Sequence, residues 1–281
     1  MVRWLTLLVL LNGAIAAEPA CAQTRQGLGA PLPESAFSRL EVGPPEAAFA
    51  DGPLRLSPNA IRILRARFPG DKVPIIPQPF RQQLDTALVA RDWSRVMERK
   101  RDLGASRGQV AMLMWEQTRM LATGSLWLAE LQARDLAASG IQGADDTAVM
   151  MWLFAVAVTM TDSHQCAADG ARDAHLALLR GSSFAPVLAL LRKMPDDQLI
   201  KLRDTAIKLE AALAPERNED TVCRAGSAKP AIRPADEWQP AAAQTRELLT
   251  KHLNAICALV RARPMAAPPT PVVAPNPKAQ H

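Results

Sequence analysis

The segment AVMMWLFAVAVTM, residues 148–160, decides the fold, because it is apolar on every side of a helix. Asp145 or Asp146 can begin this helix, and Asp162 and His164 lie near its end. A helix that is apolar all round is typical of the centre of a helical domain. The apolar run is too short to cross a bilayer comfortably, and aspartates flank it on both sides. We therefore expect a buried central helix with other helices packed around it.

Helical periodicity extends over most of the chain, from residue 57 to residue 263. Ser57 followed by Pro58 is typical of a helix start, and Asp92 can cap a later helix. No segment alternates apolar and polar residues long enough to predict a strand. The sequence therefore predicts an all-α protein of about ten helices, arranged as a helical bundle or an irregular array of antiparallel helical hairpins. In the last helix, five apolar residues are expected to face inward: Leu248, Leu249, Leu253, Ile256 and Leu259.

The N-terminus has the pattern of an export signal. Residues 1–22 combine Arg3, a short apolar stretch and small residues at a cleavage site, Ala20 and Ala22, which is typical of a secretory signal peptide. An earlier cleavage site, acylation of Cys21 and an uncleaved anchor are less favoured alternatives. We expect a periplasmic or secreted protein that meets the membrane only transiently, through this signal peptide.

The segments that flank the helices are rich in proline. Residues 23–56 are expected to form an extended or disordered lead-in, and residues 264–281 a disordered Pro-rich tail. Residues 69–79 contain four prolines among apolar residues and are expected to form an extended strap on the core. The all-α domain then spans residues 57–263, with a sub-boundary near residues 140–145.

Three cysteines remain after removal of the signal peptide. Cys166 and Cys223 both lie in predicted turns, whereas Cys257 lies on an apolar helix face. Export to an oxidising compartment favours a disulfide between a nearby pair. We predict a Cys166–Cys223 disulfide and a buried Cys257 thiol, because a bridge between two turns distorts no helix.

The most polar part of the helical region follows the central helix. It contains Asp162, His164, Asp169, Asp173 and His175. A metal or catalytic site would need three or four of these groups to converge. The spacing matches no known ligand motif, so the favoured interpretation is a helix end, a capped turn and a new helix. We predict no metal and no cofactor.

Charge is unevenly distributed along a chain whose formal net charge is +5. Residues 55–107 carry twelve Lys or Arg against five acids, and residues 108–165 carry two against six. Five basic residues could form an interaction surface: Arg91, Arg95, Arg99, Lys100 and Arg101. They could equally neutralise the acidic segment that follows them within the fold. Nucleic acid is not expected as a partner, because no binding motif or aromatic platform accompanies the basic residues.

No pattern in the sequence specifies a reaction. The GASRG segment at residues 104–108 has the spacing of a hydrolase nucleophile turn, but a helix and not a strand precedes it. Methionine and tryptophan at residues 112–115 and 150–152 have helical spacing and are expected to be core rather than a ligand site. We therefore expect an exported, non-enzymatic helical protein that binds an unidentified protein partner in a bacterial-type envelope or outside the cell. The alternative is a secreted hydrolase or metal-dependent enzyme that uses the polar segment from Asp162 to His175.

Overall fold

A computed structural model describes residues 40–70, 72–102, 107–217, 221–224 and 231–262. The predicted signal peptide, the first part of the lead-in and the tail at residues 264–281 lie outside these residues. The described part contains ten α-helices, which confirms the all-α prediction. They are α1 (Pro58–Arg67), α2 (Gln78–Val89), α3 (Trp93–Asp102), α4 (Arg107–Thr123), α5 (Leu126–Ala138), α6 (Ala144–Asp162), α7 (Ala171–Leu179), α8 (Ala185–Lys193), α9 (Asp196–Leu213) and α10 (Ala235–Ala262).

The central helix is α6, as the sequence predicts. Nearly all of its residues are buried, and it packs against α5, α7, α8, α9 and α10. The indole Nε1 of Trp152 donates to the carbonyl oxygen of Leu179 at 2.8 Å, which ties α6 to the end of α7. By length and hydropathy this helix could cross a membrane, but 89% of its most apolar window is buried inside the protein. The burial identifies α6 as the core helix of the fold.

The end of the lead-in is folded, and this differs from the sequence prediction. Strand β1 (Glu41–Gly43) pairs antiparallel with strand β2 (Val73–Ile75). Strand β2 lies within residues 69–79, which were predicted to form an extended strap. A 3-10 helix over Pro45–Phe49 then buries Ala48 and Phe49. Strands of three residues are too short to show alternation, which explains why periodicity does not reveal them.

A buried ion pair holds the lead-in on the helical core. Arg119 of α4 donates from Nε and Nη2 to the carboxylate of Asp85 in α2, at 2.9 and 2.8 Å. Trp115 Nε1 donates to the same carboxylate at 2.8 Å. The Arg119 guanidinium also donates to the Ala48 carbonyl oxygen and lies 4.2 Å from the centre of the Phe49 ring. One arginine therefore connects α2, α4 and the lead-in.

Helix α10 differs from its predicted orientation in one respect. The buried stripe runs through Ala242, Leu249, Leu253, Cys257 and Val260. Leu248 and Leu259, which were expected to face inward, are 44% and 40% exposed. Successive residues of an α-helix are about 100° apart, so Leu248 cannot share the core-facing direction of Leu249. Helix α10 therefore carries apolar residues on its outer side as well as on its inner side.

Candidate functional site

The polar segment after α6 begins with a buried ion pair. The Asp162 carboxylate accepts from Nε and Nη2 of Arg217 at 2.9 and 3.0 Å. The Arg217 guanidinium also contacts the fully buried Glu210 of α9 at 2.6 Å. Burial alone would lower the pKa of Arg217, but the charges of Asp162 and Glu210 and their hydrogen bonds together raise it. Asp162 is thus held in a structural contact.

Glu210 connects three helices through further polar contacts. It accepts from the Thr161 hydroxyl of α6 at 3.1 Å and from Arg246 Nε of α10 at 3.1 Å. Together with Arg217, these contacts fasten α6, α9 and α10 to one another. Charges of this kind, buried and mutually paired, serve the packing of the helices.

His164 lies in a different contact from Asp162. Its Nε2 is 2.7 Å from the Thr245 hydroxyl of α10. Burial first, and then the charges of Arg172 and Arg233, lower the pKa of His164. The imidazole is therefore neutral near pH 7 and forms an ordinary hydrogen bond between the turn and α10.

Asp169 and Asp173 lie on the rim of a shallow depression of about 150 Å³ next to His164. Arg172 Nε donates to Asp173 at 3.1 Å, and the Arg233 guanidinium is 3.8 Å from Asp169. Both aspartates are largely exposed to solvent. Exposed pairs of this kind contribute little free energy and have no unusual chemistry.

His175 has a different partner from the other four residues of the predicted cluster. It is buried on α7, where its Nε2 is 2.5 Å from Glu130 Oε1 of α5. The structure thus distributes the polar segment over separate contacts and does not join His164 to His175. Among the described residues, no group of three His, Cys, Asp or Glu could hold a metal ion.

The structure joins Cys166 to Cys223 in a disulfide. The bridge connects the turn after α6 to a 3-10 helix over Thr221–Arg224, and Cys166 also forms a β-bridge with Ile232. Cys257 is a buried free thiol, and burial raises its pKa to about 11. A disulfide between two turns fits an oxidising compartment.

The predicted basic residues divide between the surface and the interior. Arg95 and Arg101 are exposed on α3, and Arg91 is half-buried just before it. Arg99 is buried, and Lys100 is directed toward α4 and α5, where its Nζ contacts Glu116 at 3.0 Å and also pairs with Asp135. Of the two alternatives for the basic residues, Lys100 therefore follows the second: it pairs inside the fold with acids of residues 108–165 and does not contribute to an interaction surface.

Lys100, Glu116 and Asp135 line a cleft of about 220 Å³ between α3, α4 and α5. The Glu116 side chain is fully buried, and burial raises its pKa while the Lys100 charge opposes the shift. Sequence analysis did not select Glu116. The available signal was a carboxylate directly after the apolar run at residues 110–115, where an ionised group that becomes buried needs a partner.

No protein-family model, no curated protein and no solved structure matches this chain significantly.

Proposed function

We propose that this protein is exported and acts without enzymatic activity, by binding a partner protein through the outer side of α10. The observation that carries the proposal is the outward apolar stripe of Leu248, Ala255 and Leu259. All three residues are exposed, and they are spaced by seven and four residues, so they lie on one side of the helix. Leu248 and Leu259 are about 16 Å apart along the axis, which is the length of a short helix–helix contact.

The charges beside the stripe indicate the chemistry of the partner. Lys251 is exposed beside the stripe, whereas Arg261 is paired with Asp196 of α9, and the exposed Glu247 lies next to Leu248. A partner helix with an apolar stripe and acidic flanks would complement this surface, as in other helix-based recognition.

The proposal also includes the location of the protein, which is outside the cytosol. The Cys166–Cys223 disulfide supports an oxidising compartment, and the N-terminal sequence supports export. We infer that the partner is met in the periplasm or outside the cell.

Site-specific photo-crosslinking tests the proposal. A photoreactive amino acid replaces Leu248 in one variant and Val89, a somewhat more exposed apolar residue of α2, in the control. We expect one protein adduct from position 248, identified by mass spectrometry, and its absence from position 89. The same adduct from both positions would overturn the proposal. An adduct that consists only of a second copy of this chain would overturn it as well.

A further inference from the structure

The cleft between α3, α4 and α5 combines charged groups with an apolar wall. Lys100 contributes the ammonium and Glu116 and Asp135 the carboxylates. Met112 and Leu113 of α4 are also part of its lining, and both are buried. A small concave site with few polar groups on an apolar wall is the usual form of a ligand pocket.

One oxygen of Glu116 has no hydrogen-bond donor. Oε1 accepts from Lys100 Nζ at 3.0 Å, but Oε2 has no partner anywhere in the described part of the chain. The side chain is fully buried, so bulk water supplies no donor to this oxygen, and a ligand in the cleft reaches it only by displacing the side chains that cover it. Buried carboxylate oxygens are nearly always hydrogen-bonded, because their lost hydration must be replaced. A donor bound in the cleft would provide that replacement.

The charges around Glu116 are unbalanced, with fewer cations than carboxylates in the lining of the cleft. Lys100 pairs with both Glu116 and Asp135, so one ammonium serves two carboxylates. Arg134 adds a weak attraction to Glu116. However, its guanidinium lies over the Phe184 ring and its Nε donates to the Glu130 carbonyl, outside the lining of the cleft. A second ammonium would balance the two carboxylates at a pH above the raised pKa of Glu116, where both are ionised.

We propose that this cleft binds a small primary amine. The ammonium of the ligand donates to Glu116 Oε2, and its carbon chain packs against Met112 and Leu113. A volume of about 220 Å³ is smaller than the pockets that hold drug-sized molecules, so the ligand is short. Calcium and magnesium need more oxygen ligands than two carboxylates supply. The inference is independent of the surface on α10, since the amine site requires no partner protein.

Calorimetric titration of the mature chain tests the proposal. The probe is n-butylamine, and the controls are n-butanol, which lacks the charge, and butyrate, which reverses it. We expect saturable binding of one butylamine per chain and no saturable binding of either control. Absence of saturable butylamine binding, or equal binding of butanol, would overturn the proposal.

Three variants locate the site. Glu116→Gln keeps the shape of the side chain and removes the charge, and we expect it to weaken butylamine binding about tenfold or more. Ala138→Trp fills the cleft from an exposed position and should abolish binding with all charges retained. Asp197→Asn, which removes an exposed carboxylate of α9, is the control and should bind like the wild type. Thermal unfolding verifies that each variant is folded. Unchanged butylamine binding by Ala138→Trp would overturn the proposal, even if Glu116→Gln did not fold.

Discussion

At the scale of single residues, the fold depends on charges that find partners far away in the sequence. Asp162 and Arg217 are 55 residues apart, and Asp85 and Arg119 are 34 apart. Periodicity predicts which face of a helix is apolar, but it does not indicate which buried carboxylate meets which arginine. For the same reason, the sequence suggested Asp162, His164 and His175 as one polar cluster, whereas each has a different partner in the structure.

Loss of Arg217 should be costly. Arg217→Met leaves Asp162 and Glu210 buried without their main cation, and we expect the free energy of unfolding to fall by about 3–5 kcal/mol. Arg172→Met, which removes an exposed pair with Asp173, should change it by less than about 1 kcal/mol. Urea denaturation measures both values. A similar small loss in both variants would contradict the structural role of Arg217.

A substitution at Gly124 tests the packing of the backbone against Arg217. Gly124 has φ +64°, and an added Cβ would lie 2.6 Å from Cγ of Arg217. We expect Gly124→Ala to lower the free energy of unfolding by about 2 kcal/mol or more. Gly140 has nearly the same φ, +65°, with nothing near its Cβ position, so Gly140→Ala should cost only about 1 kcal/mol. Equal losses in the two variants would show that the contact with Arg217 is unimportant.

Glu116 should make stability depend on pH. Because burial raises its pKa in the folded state, the folded chain retains a proton that the unfolded chain has already lost. Stability therefore falls as pH rises from the unfolded value, about 4.3, to the higher folded pKa, and then stays level. Urea denaturation across this range should show the decline in the wild type and a smaller decline in Glu116→Gln. Identical profiles for the two proteins would contradict this assignment.

At the scale of elements, the sequence predicts helices well and the lead-in poorly. Ser57 caps α1 as expected, with its hydroxyl accepting from the Ala60 amide at 2.9 Å, and local signals of this kind establish helix starts. The lead-in has no such signal, because its strand pairs with residues about 30 positions away and its 3-10 helix depends on Arg119. The cleft beside Glu116 was missed for the same reason, since three helices have to meet to form it.

The attachment of the lead-in can be tested at Asp85. Asp85→Ala removes the carboxylate from a buried Arg119, so we expect a loss of about 3–5 kcal/mol in the free energy of unfolding. We also expect faster amide exchange at Ala47 and Ala50, whose amides are bonded within the lead-in. Hydrogen exchange by mass spectrometry measures the second effect. Unchanged exchange in this segment would show that the ion pair does not hold it.

In the molecule as a whole, the disulfide fixes the turn at the end of the central helix α6 to a distant part of the chain. The bridge fastens the chain that follows α9 to the turn after α6, across a sequence separation of 57 residues. The all-α class and this pairing were both accessible from the sequence, because the first depends on periodicity and the second on turns. The exposure of Leu248 and Leu259 on α10 was not accessible, since their apolar side chains alone do not indicate whether they are buried or exposed.

Removal of the disulfide should destabilise the whole fold. The chain-entropy relation predicts that the Cys166→Ser and Cys223→Ser double variant loses up to about 4 kcal/mol in its free energy of unfolding. Cys257→Ala, which removes the free thiol, should lose less, because it shortens one buried side chain and opens no loop. Denaturation of the oxidised proteins measures both, and a greater loss in Cys257→Ala would contradict the prediction.

If the protein binds its partner through the outer side of α10, its affinity for the cross-linked partner depends on Leu248 and Leu259. The comparison is between the wild type, the double variant Leu248→Asp with Leu259→Asp, and a control with Ala243→Asp and Thr250→Asp on a different exposed side of the same helix. We predict that the first double variant binds about a hundredfold more weakly, since each leucine contributes about 1.4 kcal/mol or more. The control should stay within about threefold of the wild type. Equal affinity of the wild type and the Leu248/Leu259 variant would contradict the claim.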